Sequence, residues 1–249
     1  MNFRITLRWM TLLLAAAAIF SSACAAMRDP MPLVDVLTMS KQGDTPDSIG
    51  EAIRASRTSY ALRGSDFGKL AAAGVPREVL DEIQQGFAND VDLIVRYWSG
   101  GESMGRCIPC YPQQVDLAGL ATGGVTQTPP PLRSPPGRPL GLPDWFHMQS
   151  FTSRSITVEA VRQMAKSGQS EAQIIDALRH SRLREAFGSR GALKLGTKLP
   201  AGVSGSKLAD LRAEGVPDAV LDELQESWLA AYVEFLRIRY QDVGKGSRP

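Results

Sequence analysis

Two cysteines three positions apart, in Cys107-Ile-Pro-Cys110, are the sharpest chemical feature of the chain. Thiols at that spacing can close a disulfide, bind a metal or exchange disulfides. A catalytic dithiol needs a strand before it and a helix after it, whose N-terminus stabilises the thiolate. Here Gly100-Gly101 precede the pair and Tyr111-Pro112 follow it, within a Pro/Gly-rich stretch. The favoured reading is a small structural disulfide between Cys107 and Cys110 in an oxidising compartment. Redox catalysis through the same pair is the alternative. A zinc site needs about four ligands, and beyond these cysteines the candidates are His147 and His180. His147, in Trp145-Phe146-His147, reads as a polar group beside an apolar docking segment. His180 reads as a helix-surface residue near a C-terminus, where a cation is favourable. No metal site is expected.

Other candidates for chemistry are weaker. Asp81-Glu82 and Asp222-Glu223 could work as paired carboxylates, but they alternate with an apolar stripe and read as a solvated helix face. Gly100-Gly101 and Gly123-Gly124 lack the following Lys-Ser/Thr of a phosphate loop. Gly202-Val-Ser204-Gly-Ser206 lacks the spacing of a nucleophile elbow. No catalytic residue, cofactor or small-molecule substrate is therefore assigned, and the chain is not expected to be an enzyme.

The third cysteine carries the localisation argument. Arg4 and Arg8 form a basic start, Trp9 to Phe20 an apolar run, and Ser21-Ser22-Ala23 a small-residue stretch before Cys24. The run has the length of a secretory signal core, about 7–15 residues, and is short of the roughly 20 residues that span a bilayer. Residues 1–23 are thus read as a signal peptide. Ser22-Ala23-Cys24 resembles the lipobox of bacterial lipoproteins, with Ser21 standing where that family usually has Leu. The resemblance implies cleavage before Cys24 and a diacylglyceryl group on its sulfur. By resemblance to Gram-negative lipoproteins, Ala25 and Ala26, with no Asp after the cysteine, imply the outer membrane, facing the periplasm. The whole chain has 28 Lys and Arg against 26 Asp and Glu. Removing the segment with Arg4 and Arg8 leaves the two signs equal. Arg54, Arg57, Arg179, Arg182 and Arg184 could touch phosphates from helix–turn–helix units. A neutral exported chain lacks the basic field that nucleic acid requires.

The elements that would position these groups are helices. Around Gly43, Gly74, Gly168 and Gly215 the same apolar spacing recurs. Val36, Phe67, Val161 and Leu208 lie seven residues before; Met39, Leu70, Met164 and Leu211 four before; Ile49, Leu80, Ile174 and Leu221 six after. Spacings of three and four place these groups on one helix face. The glycine is where a helix ends in a left-handed residue. Thr45 and Ser170, or Pro76 and Pro217, then start the next helix. Each unit is a helix–Gly–helix hairpin.

The hairpins come in two copies. Met39 to Gly43 lies over Met164 to Gly168, Gly64-Ser65 over Gly205-Ser206, and Leu70 to Gln84 over Leu211 to Gln225. Self-similarity of this length signals duplication. The expected fold is all-α: two duplicated small helical bundles, each of two hairpins, joined by a Pro/Gly-rich linker. The divisions are a lipid tether over 24–32, a first module over 33–98, a linker over 99–148, a second module over 149–242 and a polar tail over 243–249. The linker shows no apolar periodicity, and an extended spacer is expected there.

The Gly-Val-Pro and Val-Leu pattern resembles a repeat of uncharacterised bacterial exported proteins and lipoproteins. That resemblance implies export and a helical fold, and no activity. The functional expectation is a membrane-anchored envelope lipoprotein acting as a non-catalytic scaffold or binding module for envelope proteins. A periplasmic thiol–disulfide protein using Cys107 and Cys110, and a structural lipoprotein on the cell wall, are the alternatives.

Overall fold

The computed structural model describes residues 30–98, 113–120, 124–128, 154–186 and 202–246. Eight α-helices dominate them. The first region contains α1 (Leu33–Gln42), α2 (Pro46–Ser56), β1 (Tyr60–Ala61), α3 (Gly64–Ala72) and α4 (Arg77–Trp98). Strands β2 (Gln113–Gly119) and β3 (Gly124–Thr128) follow. The second region contains β4 (Ser155–Ile156), α5 (Val158–Lys166), α6 (Glu171–Arg179), β5 (Arg182–Leu183), a 3₁₀ turn, α7 (Gly205–Ala213) and α8 (Asp218–Gly246).

The four hairpins close in the same way. Gly43, Gly74, Gly168 and Gly215 have φ of 82°, 93°, 78° and 89°, a left-handed conformation that carries no Cβ penalty in glycine. The amide of the residue after each glycine donates to a carbonyl five residues back. Asp44 reaches Met39, Val75 reaches Leu70, Gln169 reaches Met164 and Val216 reaches Leu211, at 3.0–3.1 Å. Carbonyls left over at the helix end are thereby satisfied. Thr45 and Ser170 cap α2 and α6 by accepting from the amides of Ser48 and Gln173. Pro76 and Pro217 stand one residue before α4 and α8, their carbonyls already taken by the first turn.

The apolar stripe becomes one core. Val36, Ile49, Phe67, Leu70 and Leu80 from the first region join Val161, Ile174, Leu208, Leu211 and Leu221 from the second, all 0–1% exposed. Met39 and Met164 pack partly buried against it. The two regions therefore share a single interior, and are not beads on a linker.

Two sequence expectations are corrected. Inside the 99–148 stretch, β2 and β3 form an antiparallel hairpin, and β2 also pairs parallel with β1. Gln113 and Leu117 are buried, and Val115 packs against the core from the same side. The alternation is short and its flanks are rich in Gly and Pro, so composition masked a strand of period two. In the tail set at 243–249, α8 runs on through Gly246. Extending an existing helix adds one hydrogen bond per residue fixed.

Candidate functional site

Among the described residues, buried polar groups gather in three places along α4 and α8. The first is the seam between α3–α4 and α7–α8. Gly205 opens α7 against the backbone of α4, where a Cβ would lie 2.3 Å from the Leu80 carbonyl oxygen. Gly64 opens α3 against α8, where a Cβ would lie 1.9 Å from the Leu221 carbonyl oxygen. Only glycine admits such an approach. The closeness lets each long helix cap the other region's short one. Asp81 accepts from the Ser206 amide at 2.7 Å and from its hydroxyl at 3.0 Å. Asp222 accepts from the Ser65 amide at 2.9 Å. A carboxylate there satisfies an orphan amide and complements the helix dipole. Between these caps, the Gln84 and Gln225 side chains exchange hydrogen bonds at 3.2 and 3.1 Å, both buried. One turn further, Phe87 and Trp228 meet with ring centroids 6.2 Å apart.

The second place is the far end of α4 and α8. The Tyr240 hydroxyl donates to Asp92 at 2.6 Å. Burial pushes the Asp92 carboxyl up, while the Tyr240 hydrogen bond and the nearby Arg239 and Arg96 pull it down. Burial and the Asp92 charge push the Tyr240 phenol up. Tyr232 is fully buried and stacks on Trp228 at 5.3 Å. Its hydroxyl and the Trp228 indole N–H are buried without a hydrogen-bond partner among the described residues.

The third place is the stretch Thr58-Ser59-Tyr60, where four segments meet. The Met31 amide donates to the Thr58 hydroxyl at 2.8 Å, and the Tyr60 hydroxyl donates to the Met31 carbonyl at 2.8 Å. The Ser59 carbonyl accepts from Gln113 at the start of β2 at 2.9 Å. The Ser59 hydroxyl donates to Asp90 on α4. Burial pushes the Asp90 carboxyl up to about 6, against the pull of that hydrogen bond. Asp90 can thus hold a proton close to neutral pH. The Ser59 hydroxyl that bonds it is itself buried.

The residues singled out from sequence fare unevenly. Cys24, Cys107, Cys110 and His147 lie outside the described residues. His180 is exposed at the C-terminal end of α6, its Nδ1 2.9 Å from the Asp176 carbonyl. Asp81 and Asp222 are seam caps and not a solvated face. Their neighbours Glu82 and Glu223 pair with Arg54 and Arg179 at 2.8 Å. Arg182 pairs with Glu234 at 2.6 Å. These guanidinium groups are engaged within the fold. Ser59, Asp90, Asp92 and Tyr240 escaped the sequence reading because no spacing rule links groups brought together from different helices.

Among the described residues, no group of three or more His, Cys, Asp or Glu side chains could hold a metal ion, and no helix is long and apolar enough to cross a membrane. No protein-family model, curated protein or solved structure matches the chain.

Proposed function

We propose that the chain is an exported lipoprotein of the bacterial envelope, held on the outer membrane through Cys24 and facing the periplasm. Its helical body serves as a non-catalytic scaffold or binding module for envelope proteins. The observation that carries the reading is the N-terminal order: Arg4 and Arg8, the apolar run from Trp9 to Phe20, then Ser22-Ala23-Cys24. Such an order suits export and lipid transfer to a cysteine. The body is read as two copies of one module folded against each other. Support for this comes from the four like-closed hairpins and from a seam in which corresponding residues exchange contacts: Asp81 with Ser206, Asp222 with Ser65, Gln84 with Gln225. Reciprocity of this kind is the mark of an isologous two-fold interface. Cys107 and Cys110 complete the reading as a structural disulfide.

The test is the intact mass of the protein extracted from bacterial membranes, before and after thiol alkylation without reductant. The expected species begins at Cys24, carries acyl chains and leaves Cys107 and Cys110 unalkylated. An unlipidated chain would remove the anchor. Alkylation at both positions would remove the disulfide and favour the thiol–disulfide alternative. Cross-linking at native levels should capture an envelope partner, and failure to capture one would remove the scaffold role.

A further inference from the structure

The seam carries charges as well as caps, and they are not distributed evenly between its two sides. Arg77 of α4 makes a two-pronged ion pair with Asp210 of α7, at 2.5 and 2.7 Å. In the alignment of the two regions Arg77 corresponds to Asp218, and Asp210 corresponds to Lys69. Lys69 and Asp218 are bonded within their own regions, to Asp66 and Arg212, and sense each other across the seam only through their charges. Asp218 is held below the usual carboxylate range by its hydrogen bond from Arg212, and Lys69 from the first region adds to the pull. At both corresponding positions, then, the first region is basic and the second acidic.

The sign pattern has a consequence for pairing. Two copies of the first region joined through this seam would set Arg77 against Lys69 twice. Two copies of the second would set Asp218 against Asp210 twice. Charges within each region temper this only in part: Asp66 bonds Lys69 at 2.8 Å, Glu78 and Asp81 lie near Arg77, and Lys207 and Arg162 lie near Asp210. The caps and the Gln84–Gln225 pair would be the same in any combination, since Ser65 and Ser206, Asp81 and Asp222, and Gln84 and Gln225 are identical. Hydrogen bonding thus permits like pairs; charge distinguishes them, and so does the seat of Arg212 on Gly68, where a Cβ would lie 2.1 Å from the Arg212 Cδ and where the second region carries Ala209 instead. Repulsion built against a wrong partner is a general route to specificity.

We propose that the α3–α4 and α7–α8 surfaces form a heterotypic interface, whose partner is the unlike module and never a second copy of the same module. The chain closes on itself, and another copy of the chain could enter only by exchanging unlike modules. The inference rests on reading the two regions as copies; it is independent of the lipid.

Charge reversal in the full chain tests it. One variant reverses the second module (Asp210→Lys with Asp218→Arg), another reverses the first (Lys69→Asp with Arg77→Asp), and a third combines all four changes. Each single-module reversal should lower the urea midpoint at low salt. The combined variant should stand above both, because its cross-seam pairs are again opposite in sign. In about 1 M salt, where the screening length is roughly 3 Å, the differences should shrink. A combined variant that loses the sum of the two separate losses would overturn the proposal, because additivity means that the two sides do not sense each other. Should a reversal fail to fold, the neutral cycle Arg77→Gln and Asp210→Asn decides in the same way: coupling supports the interface and additivity overturns it. The repeat reading has its own check. Gly64→Ala and Gly205→Ala should destabilise alike, and unequal losses would count against the repeat while leaving the charge cycle readable.

Discussion

Asp90 keeps its proton to a higher pH than a solvated carboxyl, because burial opposes its charge and the Ser59 hydrogen bond only partly offsets this. The consequence for stability has a definite sign. An unfolded Asp titrates near pH 3.9, and the folded group titrates at about 6. Between those values the folded chain holds a proton that the unfolded chain releases, so the contribution of this group falls as pH rises across the window. After solvent screening it is worth about 1–2 kcal/mol. Asp90→Asn keeps an acceptor for Ser59 and removes the titration. Urea midpoints measured from pH 4 to 7 should decline less with pH in Asp90→Asn than in the parent, and should be higher in the variant at pH 7. Parallel slopes would show that Asp90 titrates as an ordinary carboxyl. Nothing in the sequence marks this residue. Cys24, Cys107 and Cys110 are singled out by residue type and local spacing alone, and lie outside the described residues. Ser59 and Asp90 are 31 positions apart and acquire meaning only when β1 is laid beside α4.

At the scale of elements, the helices were legible and the strands were not. A left-handed glycine after an apolar stripe is a local signal, and all four hairpins obey it. Strand β2 pairs with its neighbour β3, but its other edge is held by β1 from far back in the chain, a relation that no window of sequence contains. The same division separates two kinds of glycine. Gly205 and Gly64 sit where another helix backbone occupies the space of a side chain. Alanine at either should cost about 1–3 kcal/mol or more by overpacking, since a carbonyl oxygen cannot rotate away. Gly86 lies within α4, and its added Cβ would meet its nearest neighbour at 3.9 Å, an ordinary contact. Gly86→Ala should therefore stabilise the chain by about 0.5–1 kcal/mol. Thermal or urea unfolding of the three variants should show two losses and one gain. A loss at Gly86 would mean that the interior of α4 needs its freedom.

At the scale of the whole molecule, a shared interior makes the two regions one folding unit. Unfolding followed by tryptophan fluorescence and by circular dichroism should give coincident transitions, and separated ones would restore two independent bundles. The buried amide pair joins the regions at the centre. Gln84→Leu or Gln225→Leu alone strands the partner amide and should cost about 1–3 kcal/mol. Replacing both removes the polar pair together and should recover much of the loss, which a double-mutant cycle would measure.

The fastening of Met31 to Thr58 and Tyr60 sets a height. Met31 lies seven positions after Cys24, and a fully stretched chain covers at most about 3.3–3.6 Å per residue. With Cys24 seated in lipid as proposed, the helical body can stand no farther than about 25 Å from the bilayer. That is less than the roughly 30 Å of the hydrocarbon core beneath it. A body so tethered would work as a mooring at the membrane surface and not as an arm reaching across the periplasm. Under that proposal, whatever it held would have to come to the membrane to be held.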